Sequence, residues 1–240
     1  MSSKLNKVTA ATLIFLGIYT NIPFSILGVI FDYPNILRKP AGMVLDLFKQ
    51  GGATLIATWY AFAVAPLLMI LAAKLLQRVL RETHENLSSV SATFGVLAGV
   101  FQVLGLIRWV FVVPALARAY VDPNATETAR SAAVMVFQGF HQYAGVALGE
   151  HLGQLFTALW VAMIAAAMLD SVVFKRWQGW AGLAIAAMMF AGLVEGFATA
   201  VNFDPGIFGM LTPIAFILLS IWMISLGVVL LLSRRSPAAA

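Results

Sequence analysis

The sequence predicts an all-α integral membrane protein: a bundle of about six transmembrane helices with a short interfacial helix in the first outer loop. Three observations predict it. Of 240 residues, 61% are hydrophobic and only 10% charged, with a mean hydropathy of +0.92. A soluble domain carries charge on roughly a quarter of its residues, so most of this surface must face lipid. The apolar residues fall into runs at about 8–31, 53–76, 90–113, 143–169, 180–201 and 208–232, each long enough for a hydrocarbon core about 30 Å thick. The basic residues cluster at the ends of those runs, where they orient the chain and meet anionic headgroups. The net charge of +5 is therefore no nucleic-acid footprint, and residues 1–240 read as one transmembrane domain.

Each element has its own warrant. The first run follows Lys4 and Lys7. It is longer than a signal-peptide core and lacks a small-residue cleavage site, so it reads as an uncleaved span. Asn21 and Pro23 near its middle predict a kink. The connection at 32–52 is punctuated by Pro34, Pro40 and Gly51-Gly52. Between them Met43, Val44, Leu47 and Phe48 recur at helical spacing, opposite Asp46 and Lys49, which predicts the interfacial helix. The second span carries Trp59, Tyr60 and Pro66 and ends at Lys74, Arg78 and Arg81. The third stops at Pro114, with Arg108 in its last turns, and a polar connection is expected over 115–130. Residues 131–140 are too few to cross, and read as an interfacial or entry segment continuous with the fourth span. The fifth follows Lys175, Arg176 and Trp177, and the sixth ends at Arg234 and Arg235 before a Ser-Pro-Ala tail expected to be disordered. The halves show no internal repeat.

Six spans put Lys4, Lys7, Lys74, Arg78, Arg81, Lys175, Arg176, Arg234 and Arg235 on one side. Arg38, Lys39, Lys49, Arg118 and Arg130 fall on the other. The positive-inside rule makes the first side cytoplasmic, with both termini there. Tryptophans near span ends read as interfacial anchors.

With the helices placed, the polar residues collect toward the outer side: Asp32, Arg108, His141, Tyr143, Glu150, His151, Glu195, Asn202 and Asp204. At α-helical spacing Tyr143, Glu150, Gln154 and Thr157 share one face of the fourth helix, as do Glu195, Thr199 and Asn202 on the fifth. Ionisable groups inside a bilayer cost several kcal/mol and turn toward a bundle interior or wet cavity. Gly145, Gly149 and Gly153 recur every fourth residue, a spacing that admits a neighbouring backbone. The reading is a pocket open to the outer face, lined by Arg108, Glu150, His151 and Glu195, with Asp32, His141 and Tyr143 near its mouth. The alternative is a structural network in which Arg108 pairs with one glutamate and locks helices together.

Several chemistries are excluded. With no cysteine there is no disulfide, iron–sulfur cluster or thiolate zinc site. No span holds a central lysine for a retinal Schiff base, and Glu150-His151 does not complete a zincin motif. His84 belongs to the opposite side, which removes a three-histidine zinc site. His141 and His151 stand about 15 Å apart along one helix, too far to share a haem. A mixed site of His141 or His151 with Glu150 and Glu195 stays open, but no cofactor is implied.

Tyr33-Pro34-Asn35-Ile36-Leu37-Arg38, Gly51-Gly52 and Trp59-Tyr60 form one set of motifs. Gly105-Leu106-Ile107-Arg108-Trp109 with Pro114 forms another, and His141-Gln142-Tyr143 running into Gly149-Glu150-His151-Leu152-Gly153 a third. Together they resemble the bacterial membrane family known as domain of unknown function 4386. The match stretches from the first loop through the fourth span. It implies a multipass protein of a bacterial inner membrane and brings no activity with it. Three functions follow for testing: binding or moving a small polar ligand, ion or proton; membrane-embedded catalysis with Glu150 or Glu195 as general base and Arg108 or His151 stabilising developing negative charge; or a structural or regulatory subunit.

Overall fold

The computed structural model describes residues 3–201, 203–204 and 206–232. Asn202, Arg234, Arg235 and the Ser-Pro-Ala tail lie outside the described residues. Six helices are long and apolar enough to span a bilayer: α1 (Lys4–Phe31), α2 (Ala41–Leu80), α3 (Glu85–Val121), α4 (Glu127–Met168), α5 (Arg176–Ala198) and α6 (Phe208–Leu232). Along them Ile18, Ile22, Leu67, Leu71, Ile217 and Ile221 are exposed, as expected where the solvent is lipid. The protein is an integral, multipass membrane protein.

Each helix packs on its sequence neighbour, and α1 closes the ring against α6. Small residues allow that closure. A Cβ on Gly17 would lie 2.7 Å from the Ser220 carbonyl oxygen, and one on Gly227 would lie 2.8 Å from that of Ala10. In a bilayer, close backbone approach substitutes for a hydrophobic driving force between helices. The connections alternate between two ends. At one, His84 Nε2 lies 4.0 Å from Asp170 Oδ2. At the other, Arg38 Nη2 lies 2.6 Å from Glu195 Oε1, joining the first connection to α5.

The breaks in the helices have local causes. In α1 the helix turns at Thr20 between Ser3–Tyr19 and Asn21–Phe31. Pro23 has no N–H to offer the turn before it, while Thr20 and Asn21 donate their side-chain protons to the Leu16 and Gly17 carbonyls at 3.0 and 2.7 Å. The interruption falls where a kink was expected, but Thr20 keeps α-helical backbone angles. In α2 the break is Gly52, at φ 57° and ψ −147°, a conformation essentially confined to glycine. It separates a short amphipathic helix from the span proper, as the Gly51-Gly52 pair suggested. The apolar stripe of that short helix is Ala41, Val44, Leu45 and Phe48, and it is buried against the protein, whereas Met43 is exposed.

Two expected boundaries are corrected. The third helix does not stop at Pro114 but continues to Val121. After a break at Val112, Pro114 falls in the first turn of a new segment, where its missing N–H costs nothing. The fourth helix begins at Glu127, capped by Thr126 Oγ1 accepting from the Ala129 N–H at 3.2 Å. The expected loop over 115–130 therefore shrinks to 122–126, and residues 131–140 are continuous with α4. Helices of this length reach about 55–63 Å, far more than a hydrocarbon core, so α3 and α4 extend past the membrane at the Arg38 end.

The core has two parts. Near the His84 end, Leu13, Leu76, Trp160, Ile164, Met189 and Leu226 bring all the helices but α3 together, and Ala98 joins it. At the Arg38 end, Phe31, Ile36, Phe48, Trp59, Trp109 and Phe137 make a second, aromatic core. Trp59 and Trp109 are 0% and 1% exposed and stack at 4.7 Å with an interplanar angle of 9°. They are not interfacial anchors. That reading fits Trp177 and Trp180, which are exposed at the start of α5.

Candidate functional site

Arg108 stands about 35 Å along α3 from Glu85, at the far edge of a hydrocarbon core about 30 Å thick. Trp59, Glu150 and Glu195 stand about 27–32 Å from the same end of their own helices. The polar residues therefore share one level, next to the aromatic core.

The Arg108 side chain is 5% exposed. Its Nη1–H donates to the Gly105 carbonyl, its Nη2 lies 3.5 Å from His141 Nδ1, and its Cζ is 5.2 Å from the Trp109 ring centroid. Its Nε–H is buried without an acceptor, as is the Nε1–H of Trp59. Glu150 is exposed on α4 and close enough to interact electrostatically with Arg108, Glu195 and Arg38. Among the described residues, no carboxylate comes within 4.0 Å of Arg108, and no cationic nitrogen comes within that distance of Glu150. The Arg108–glutamate pair of the structural alternative is thus not formed. Glu195 pairs with Arg38 instead.

Small residues hold the guanidinium in place. Gly145 of α4 lies flat against it, so any Cβ there would collide with the guanidinium. A Cβ on Gly149 would lie 2.8 Å from Gly105 Cα, and one on Gly153 would lie 2.9 Å from Gln102 Cγ. The glycine repeat is the seam between α4 and α3. Along it, residues 141–152 form π-helix rather than α-helix, with backbone bonds from i to i+5. The wider turn shifts the side-chain register, and this breaks the face expected from α-helical spacing. Tyr143 points away and is 68% exposed. Gln154 and Thr157 turn inward as structural links. Gln154 Nε2 donates to the Met189 carbonyl at 2.8 Å and to Thr212 Oγ1 at 3.1 Å. Thr157 Oγ1 accepts from Gln102 Nε2 at 2.9 Å.

Of the residues expected at the site, Arg108 and His141 come within 3.5 Å of each other, and Glu150 lies within electrostatic range of Arg108 and Glu195. Asp32 is engaged in its own loop. It caps the first helix at φ 52°, and its carboxylate accepts from Lys39 at 2.5 Å and Asn35 at 3.1 Å. The Lys39 hydrogen bond, and after it that of Asn35, holds the Asp32 carboxyl below its ordinary range. His151 packs between α4 and α5, edge-on to Phe197 at 5.0 Å. Tyr143 does not take part. Among the described residues, no three of His, Asp and Glu gather as a metal site. The mixed histidine–glutamate site is thus not assembled. Two surface hollows, of about 330 Å³ beside Tyr120 and Arg130 and about 420 Å³ between Tyr19 and Thr58, do not touch the cluster.

Two members were not among the expected pocket residues, although Tyr33 stands beside Asp32 in the outer-side polar collection. Tyr33 lies edge-on to Trp59 at 5.1 Å. Burial, and after it the Glu150 charge, pushes its phenol above its ordinary range, with Arg108 acting in the other direction. Arg38 reaches over from the first connection. Both belong to the Tyr33–Arg38 motif, and the Trp59, Gly105–Trp109 and His141–Gly153 motifs converge on the same place. No curated protein and no solved structure matches this chain. The model of one family, Domain of unknown function (DUF4386), matches residues 8–233, and the chain belongs to that family.

Proposed function

We propose that this protein binds or moves a small polar ligand, ion or proton at the Arg108–Glu150 level of the bundle. The observation that carries the reading is a buried guanidinium with no carboxylate within 4.0 Å among the described residues. A charge taken out of water without a partner costs several kcal/mol, and a protein that keeps one has a use for it. Glu150 beside it supplies the opposite charge and is open to the surface. The Arg38–Glu195 pair spans the same level from the first connection to α5.

The same reading sets the protein in a bacterial inner membrane with both termini cytoplasmic, since the basic clusters favour the His84 end. Its site then faces outward. Native mass spectrometry of mildly solubilised protein, comparing wild type with Glu150→Gln, tests the function. A small molecule or lipid that travels with the wild type and leaves the variant supports a binding site. A clean apo mass in both, with a lower melting temperature in the variant, replaces it with a structural role. That second reading has its own support, because Arg108 already ties α3 to α4 through Gly105 and Gly145.

A further inference from the structure

From the Arg108 guanidinium and the nearby Glu150 carboxyl, neither in an ion pair among the described residues, we infer that the site takes a compact zwitterion, its acidic oxygens on Arg108 and its primary ammonium on Glu150. The inference rests on the site reading above and narrows it to a ligand class. The two charges interact electrostatically yet stay more than 4.0 Å apart. Two opposite charges at one level of a bundle would gain by closing into a direct pair, as Arg38 and Glu195 do at 2.6 Å. Here the Gly105 carbonyl and the Gly145 surface hold the guanidinium back on the α3 seam.

The donors favour the same ligand. Arg108 Nε–H and Trp59 Nε1–H are both fully buried and lack an acceptor, within a cluster where Trp59 stacks on Trp109 and Arg108 lies against that same ring. Buried donors without acceptors are costly, and acidic oxygens satisfy them in a way that a cation cannot. A lone anion would satisfy the donors but face the Glu150 carboxylate. A lone cation would satisfy Glu150 but face Arg108. A molecule carrying both charges meets both demands, with its ammonium end outward because Glu150 is the exposed member and Arg108 the buried one.

Such chemistry has two sources, a free α-amino acid or phosphoethanolamine, and the headgroup of an ethanolamine phospholipid. The test uses the purified full chain. Its melting temperature is followed against glycine and phosphoethanolamine, with acetate, inorganic phosphate and ethylamine as controls that carry charge of one sign only. In parallel, nanodiscs of phosphatidylethanolamine are compared with phosphatidylcholine, whose quaternary ammonium has no N–H to give Glu150.

The expected result is a saturable stabilisation by a free zwitterion, or selective retention of phosphatidylethanolamine in native mass spectra; the arm that responds names the source. Either response should weaken at least tenfold in Glu150→Gln and in Arg108→Gln. Acetate or phosphate binding as tightly as the zwitterions overturns the inference while leaving a polar site in place, as does ethylamine binding that well. No response to any probe or lipid, with both variants merely less stable, overturns the inference and the site reading together. The comparison among probes on the wild type decides the matter even if Arg108→Gln fails to fold.

Discussion

Gly149 illustrates how tightly single residues constrain this bundle. Its missing Cβ would lie 2.8 Å from Gly105 Cα, and backbone on both sides leaves no flexible group to move aside. Gly149→Val should therefore destabilise the protein by about 1–3 kcal/mol through overpacking, read as a lower melting temperature in detergent. Asp32 makes a different prediction. Its carboxyl is held below the usual range by Lys39 and Asn35, so its contribution is present above the unfolded value, near 4, and is lost as pH falls through the lower folded value. Protease sensitivity of residues 32–39 should rise in that acid window in wild type. In Asp32→Asn, which still tolerates positive φ, it should be raised at neutral pH and stay flat. At this scale Arg108, Glu150 and Glu195 were legible as intramembrane charges. Which charge meets which was not: Arg38 and Glu195 are 157 residues apart, and helical periodicity carries no information across that distance.

Among the elements, the Gly52 hinge has the largest consequence. It turns the short helix at the start of α2 so that Phe48 reaches Trp109, stacked at 5.8 Å with an interplanar angle of 24°. Gly52→Ala should cost about 1–3 kcal/mol, because φ 57° with ψ −147° is strained for any residue with a Cβ. The expected outcome is a lower melting temperature together with faster proteolysis near residues 40–52. If the variant melted like wild type, the hinge would not hold the aromatic core. The hinge itself was readable from the glycine pair. The direction of the apolar stripe was not, since a stripe facing lipid and one facing protein have the same periodicity. The π-helical stretch at 141–152 was hidden for a related reason: its wider turns accompany the close contact of Gly149 with Gly105, and that contact depends on two helices at once. Pro114 misled in the opposite way, because a proline ends one helix and begins another with equal ease.

For the molecule as a whole, the alternation of connections is the central claim. The chain contains no cysteine, so single cysteines report accessibility without background. Asn35→Cys and Asn124→Cys should react with an impermeant maleimide in intact cells, whereas Thr83→Cys and Val172→Cys should react only after permeabilisation. Asn124 labelling together with Thr83 would break the six-span order. The reverse pattern at all four positions would keep the spans and invert the proposed orientation. Helix length adds a physical corollary. α5 and α6 are 23 and 25 residues long, about the bilayer crossing, while α3 and α4 are 37 and 42. The excess lies at the Arg38 end, where Val113, Ala117 and Phe137 add to the aromatic core beside the polar level.

By itself the sequence determined that the chain lives in lipid, carries six helices long and apolar enough to cross it, breaks at Gly52, and carries charge at one level. Those properties follow from hydropathy, length and backbone chemistry, which act locally and add along the chain. The tertiary structure alone decided that Trp59 and Trp109 are core rather than anchors, that Tyr143 is exposed, that Glu195 belongs to Arg38, and that Arg108 and Glu150 interact without forming a direct pair. Each of these depends on how segments distant in sequence pack. Its outcome depends on how closely the backbones approach, which the glycine seam and the π-helical register set only once the helices are packed.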